Sequence, residues 1–144
     1  MNWKQEAVER LRLYTDMKQA VNNLPREIKR LEQEAANPGS GNLERVGKSS
    51  TVNGRENWLL NNIIQRQELQ KAYNNAVQWL SVTDGALGTL PKEDLRILSM
   101  MYIDAVNGAT AELCAELGVE QSSVYRKRDK ALYQFTVALY GVAS

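Results

Sequence analysis

Residues 110–141 constrain this chain more than any other stretch. A short apolar-patterned segment, 110–117, is followed by Gly118-Val119 and then by a helix-compatible run from Gln121 to Gly141. Leu113 and Leu117 on the first segment would face a core, and the small Cys114 would let a second helix approach closely. Gly118 falls where the chain must leave a helix through a left-handed conformation, which glycine adopts without a steric penalty. Val119 and Val124 would seal the turn. This is the pattern of a helix-turn-helix, although a glycine between two amphipathic helices closes any helical hairpin as well.

The position of the charges favours the first reading. On a helical wheel Val124, Ala131, Leu132, Phe135 and Leu139 form one apolar stripe, while Ser122, Arg126, Lys130 and Tyr133 fall on the opposite face. Gln121 and Ser122 open this second helix, the end that enters the major groove first in such modules. Arginine and glutamine there can make paired hydrogen bonds to a guanine or adenine edge, and Lys127 and Lys130 can meet phosphates on either side. Tyr125 flanks the polar face, where it would either stack on or touch a base or serve in packing. The candidate DNA-binding residues are therefore Gln121, Ser122, Ser123, Tyr125, Arg126, Lys127, Lys130 and Tyr133. Asp129 beside them would repel phosphate unless it accepts from a cytosine or fixes a neighbouring arginine.

Leu90-Pro91 opening a helix, 98–102 ending it, Glu112-Leu113-Cys114, Leu117-Gly118-Val119, Ser123-Val124 and the run from Arg126 to Ala131-Leu132 resemble the promoter-binding C-terminal module of bacterial sigma factors, their region four. The ending 124–132, with Phe135 and Leu139-Tyr140-Gly141, is closer to the ArpU/RinA-like phage and prophage transcriptional regulators. The resemblance covers about residues 90–141 and implies a regulator of late or lysis genes that binds double-stranded DNA. It departs at 104–109, about two residues longer than the sigma-like pattern, and at Arg128, where related sequences often carry an aliphatic residue. A small terminase-like DNA-packaging subunit, or another helical assembly protein, is the alternative.

Composition excludes several classes. From Thr89 onward six basic residues face seven acidic ones, so any DNA contact must be local to one helix rather than a general stickiness. One cysteine and no histidine allow no internal disulfide and make a metal site a poor expectation; no cofactor is expected either. The carboxylates sit beside Lys and Arg at helical intervals, as in Glu27 and Arg30, which reads as solvated surface rather than an acid-base pair. Gly47-Lys48-Ser49 ends like a phosphate-binding loop, but position 42 is asparagine where the loop needs glycine. No enzyme is expected. With no apolar run of membrane-spanning length and charge from Lys4 onward, the protein is expected in the cytoplasm, away from the membrane.

The first half reads as long helices, making the chain all-α: an N-terminal helical hairpin (1–82) followed by the C-terminal helix-turn-helix module (86–144). Residues 3–36 are rich in helix formers, and Met17, Val21, Leu24, Ile28, Leu31 and Ala35 recur in steps of four and three, a coiled-coil-like seam. Pro25 within it implies a kink or a break. A flexible loop follows at about 37–54, with a candidate short hairpin at 43–52. Residues 55–80 resume a helix in which Leu59, Ile63, Tyr73, Ala76, Val77 and Leu80 would face the first, with Trp58 and Trp79 at its ends. Thr83-Asp84-Gly85 to Gly88-Thr89 reads as a hinge, beyond which the remainder would fold by itself. The N-terminal helices are candidates for homodimer formation or for contact with RNA polymerase.

Overall fold

A computed structural model describes residues 2–37 and 52–141. The chain is all-α: α1 (Trp3–Ala36), α2 (Val52–Leu87), α3 (Lys92–Leu98) running into a π-helical turn (Ser99–Ile103), α4 (Ala109–Leu117) and α5 (Gln121–Tyr140), with no strand among the described residues. The hairpin expected at 43–52 and Gly47-Lys48-Ser49 lie outside the described residues, apart from Val52, which opens α2. Two compact units are distinguished, Met1–Lys18 with Gln78–Ser144, and Gln19–Val77. Both α1 and α2 contribute residues to each.

In the unit Gln19–Val77 the expected seam of α1 is buried or half-buried: Val21, Leu24, Ile28, Leu31 and Ala35 all turn inward. Pro25 neither ends the helix nor restarts it; α1 carries it inside a continuous run. Its ring lies on the exposed side, where water can reach the carbonyl left without a donor. The phase of α2 differs from the expected one. Trp58, Asn62, Arg66, Leu69, Tyr73 and Ala76 form the inner face, while Leu59, Ile63 and Val77 are exposed. Asn62 explains the phase. Its Nδ2 donates to the Leu31 carbonyl at 3.0 Å and its Oδ1 accepts from Arg66 Nε at 2.9 Å, so a buried amide is satisfied on both ends.

The other unit is built on two packed clusters. Ala7 and Leu11 of α1, Ala86 and Leu87 of α2, Leu90, Leu98 of α3, and Ala131, Leu132 and Phe135 of α5 share one core. Ile97, Met100, Ala109, Leu113 and Val124 form the second, with Met101, Cys114, Leu117 and Val119 against it. The first turn of α1 is capped by Asn2, whose Oδ1 accepts from the Gln5 N–H at 2.8 Å.

Two expectations change here. The helix does not stop at Thr83-Asp84-Gly85; α2 continues to Leu87. Thr83 is fully buried, donates its hydroxyl to the Trp79 carbonyl at 2.8 Å and accepts from Arg10 Nε at 2.8 Å, while Asp84 accepts from the Tyr14 hydroxyl. Residues that form turns by bonding to their own backbone are held instead by α1. The unit containing α3, α4 and α5 also includes residues 1–18, so its core is not confined to the segment after Gly85.

Candidate nucleic-acid interface

The candidate residues are positioned by the turn between α4 and α5. Gly118 has φ 66° and ψ 37°, and both it and Val119 donate backbone N–H to the Cys114 carbonyl, at 2.9 and 3.2 Å. That left-handed residue closes α4 within one turn and leaves only Val119 and Glu120 before α5 begins. Val119 and Leu117 pack on the second cluster, and Val124 is fully buried in it, which fixes the rotation of α5 about its axis. Ala131, Leu132 and Phe135 continue the buried stripe. The opposite face is thereby turned outward.

Gln121, Ser122, Arg126, Lys130 and Tyr133 are exposed, and Ser123, Tyr125 and Lys127 are half-buried. The first two residues of α5 have no side-chain cap above them; the Glu120 carbonyl accepts from the N–H groups of Ser123 and Val124 at 3.0 and 3.1 Å. Gln121 Nε2 donates to the Tyr125 hydroxyl at 2.6 Å, and an Arg126 guanidinium nitrogen donates to Ser123 Oγ at 3.0 Å. Arg126 has no carboxylate partner among the described residues. Lys130 has no ion-pair partner among the described residues.

The remaining bases are engaged. Lys127 Nζ lies 3.2 Å from a carboxylate oxygen of Glu93 on α3. Arg128, whose guanidinium lies 4.9 Å from the Tyr125 ring centroid, donates Nε to Asp129 at 3.1 Å. Asp129 thus fixes a neighbouring arginine, one of the two roles that would spare phosphate its repulsion, and it also receives Lys4 Nζ at 3.4 Å. One face of Tyr125 is covered by Arg128, which leaves its edge and hydroxyl toward the helix start. Tyr133 meets Trp3 edge to face, with centroids 5.8 Å apart and planes at 81°. Tyr133 therefore marks the place where the first turn of α1 joins the exposed ridge of α5.

Trp3, Lys4 and Glu93 adjoin this surface without any local sequence signal to mark them. The first two are more than a hundred residues from α5, and only the tertiary fold brings them together. Behind the surface, Arg96 of α3 grips Glu116 of α4 through two contacts, 3.1 and 3.3 Å. This pairing holds Glu116 below the usual carboxylate range and raises the Arg96 guanidinium, each through the shared hydrogen bond. The clamp keeps one acid of α4 occupied. Lys92 is exposed at the start of α3 with no ion-pair partner among the described residues.

Chemically, the surface offers hydrogen-bond donors of two kinds: fixed polar groups at the start of α5, and two cations one turn apart along its exposed ridge. At the far end of that ridge Tyr133 also lines an open cleft of about 430 Å³, together with Thr89, Leu90, Pro91, Gln134, Val137 and Ala138. No helix among the described residues is long and apolar enough to cross a membrane. In comparisons with protein families, curated proteins and solved structures, the chain matches none.

Proposed function

We propose that this protein is a sequence-specific DNA-binding transcriptional regulator, with α4 and α5 as a helix-turn-helix and α5 as the element that enters the major groove. The observation that carries this reading is the pairing of Arg126 with Ser123 rather than with an acid, beside a Lys130 without an ion-pair partner among the described residues, on the face directly opposite the buried stripe. An arginine held by a hydroxyl stays charged and available, and it can reorient toward a guanine edge at small cost. Gln121, Ser122 and Ser123 supply donors and acceptors at the groove-entering end; Lys127 and Lys130 supply phosphate contacts. Tyr125 and Tyr133 border the surface. Phage or prophage origin and action on late or lysis genes follow from the resemblance to ArpU/RinA-like regulators and are part of the same proposal. No catalytic role, cofactor or metal is proposed.

Selection of bound sites from a random duplex pool tests it. One motif should be enriched, and Arg126→Ala should bind it about 1–3 kcal/mol more weakly with relaxed preference at one base position. Lys130→Ala should weaken all sequences alike and make the salt dependence shallower by about one unit. A pool that yields no motif, or an Arg126→Ala protein that binds the motif as wild type does, removes the base-reading role.

A DNA-packaging or other assembly subunit is the second reading. It is favoured by one observation, the exposed aliphatic face of α2 formed by Leu60, Ile63 and Ile64. That face makes no use of α5, and the same selection experiment separates the two readings.

A further inference from the structure

The outer face of α2 in the unit Gln19–Val77 carries exposed aliphatic side chains. Leu60, Ile63 and Ile64 are 54%, 42% and 43% exposed, with Leu59 at their flank. At 100° per residue, six residues from 56 to 71 share this face: Glu56, Leu60, Ile63, Ile64, Gln67 and Lys71. All six are exposed. Large aliphatic side chains grouped in this way on a helix mark an interaction surface more often than an ordinary solvated one.

The order of the residues identifies what fits it. Glu56 and Lys71 stand at equal separations on either side of the Ile63-Ile64 pair, and Leu60 and Gln67 do the same one turn further in. Among the described residues neither Glu56 nor Lys71 has an ion-pair or hydrogen-bond partner, and between 56 and 71 they are the charges on this face. When two copies of α2 lie antiparallel with a twofold axis between Ile63 and Ile64, Glu56 of each chain falls opposite Lys71 of the other, twice. The isoleucines meet at the centre. The charge pattern is self-complementary, as an isologous interface requires, with Leu60 of each chain opposite Gln67 of the other, whereas a parallel arrangement would set glutamate against glutamate and lysine against lysine.

We infer that the protein forms an antiparallel homodimer through this face of α2, with Leu60, Ile63 and Ile64 as the apolar centre and two reciprocal Glu56–Lys71 pairs at the ends. The contact spans about 22 Å of helix at 1.5 Å per residue, the small end of specific interfaces, so association depends on concentration and weakens in salt. The seam of α1 is not needed for it, being packed within the chain against Asn62 and its neighbours. The inference stands whether or not the protein binds DNA.

Sedimentation of the full chain over about a hundredfold range of concentration tests the inference, with circular dichroism to verify the helices. The wild type should pass from monomer to dimer, and Ile64→Asp should stay monomeric. Glu56→Lys and Lys71→Glu should each raise the dissociation constant about tenfold or more, because two attractions become two repulsions. The double variant Glu56→Lys/Lys71→Glu, and an equimolar mixture of the two single variants, should return to near wild-type association. If Ile64→Asp loses helicity, the charge-reversal set still decides. A wild type that is monomeric throughout, a dimer indifferent to the single charge reversals, or a double reversal that fails to restore pairing overturns the inference; the first of these outcomes assigns the face to another partner.

Discussion

Lys4, in the first turn of α1, places its ammonium 3.4 Å from the carboxylate of Asp129 in the middle of α5. The contact lies next to Lys130, and Trp3 beside Lys4 meets Tyr133, so the N-terminal turn sets the charge of the surface proposed to bind DNA. Without Lys4, Asp129 would keep only Arg128 as a partner. Its negative charge would then bear more strongly on a phosphate approaching Lys130.

The first prediction follows from that geometry. Lys4→Ala should weaken binding to a selected duplex by about 1.4- to fivefold, the range set by an exposed ion pair of about 0.2–1 kcal/mol. Asp129→Asn should abolish most of this penalty. Fluorescence anisotropy titrations of the two single variants and the double variant give the coupling. Equal losses from Lys4→Ala with and without Asp129 would mean that Lys4 acts on DNA directly rather than by neutralising Asp129.

A second prediction concerns the core around Leu11. This side chain is fully buried among Leu98, Ala131, Leu132 and Phe135, so Leu11→Ala should cost about 2–5 kcal/mol from lost burial and the cavity left behind. A fragment beginning at Gly85 removes Ala7 and Leu11 together and should lose most of its helical signal. Urea titration of the full-length variant and circular dichroism of the fragment measure the two effects. A fragment as helical and as cooperative as the same residues in the full chain would show that α1 is dispensable to this core.

Helix limits were legible wherever a local signal and the tertiary demand agreed. The run 3–36 coincides with α1, and Gly118 and Gly141 end α4 and α5 with φ of 66° and 84°. The buried stripe of α5 was equally legible, since Val124, Ala131, Leu132 and Phe135 obey one period. In α2 two apolar stripes compete. Periodicity favoured Leu59 and Ile63, yet Asn62 occupies the inner face because the Leu31 carbonyl and Arg66 satisfy its amide there. Thr83-Asp84-Gly85 misled for a related reason: Arg10 and Tyr14, about seventy residues earlier, take the hydrogen bonds that a turn would have used. Likewise Lys127 was legible as a base on α5, but its pairing with Glu93 depends on how α3 packs against α5.

That pairing supplies a third prediction. Glu93→Gln removes the acid 3.2 Å from Lys127 while keeping a side chain of the same shape. The freed lysine should then contribute to phosphate binding, raising affinity at low salt and steepening the salt dependence by up to about one unit. Lys127→Ala in the same background should reverse the gain. Affinities at two salt concentrations provide the slopes. An unchanged slope in Glu93→Gln would place Lys127 outside the DNA contact and leave the phosphate role to Lys130.

The last prediction uses pH and is independent of any ligand. The Tyr14 hydroxyl donates to Asp84, and its pKa is pushed up to about 12 by burial first, then by that hydrogen bond and by the negative charges of Asp84 and Asp104. In the unfolded chain a tyrosine ionises near 10. Because the folded value is the higher one, the stabilisation linked to Tyr14 is fully present below about pH 10 and is lost as pH rises toward about 12, where the native state ionises as well. Tyr14→Phe lacks this titration but keeps the ring against the core. The stability difference between wild type and Tyr14→Phe, measured by urea unfolding, should therefore be constant from neutral pH to about 9 and shrink above 10. All other groups are common to the two proteins and cancel to first order. A phenolate absorbance titration provides the direct check: the wild type should show a component rising toward about pH 12 that Tyr14→Phe lacks. A difference that stays flat through this range would mean that Tyr14 does not hold its proton for Asp84, and that the contact tying α1 to the end of α2 rests on the buried Thr83–Arg10 bond instead.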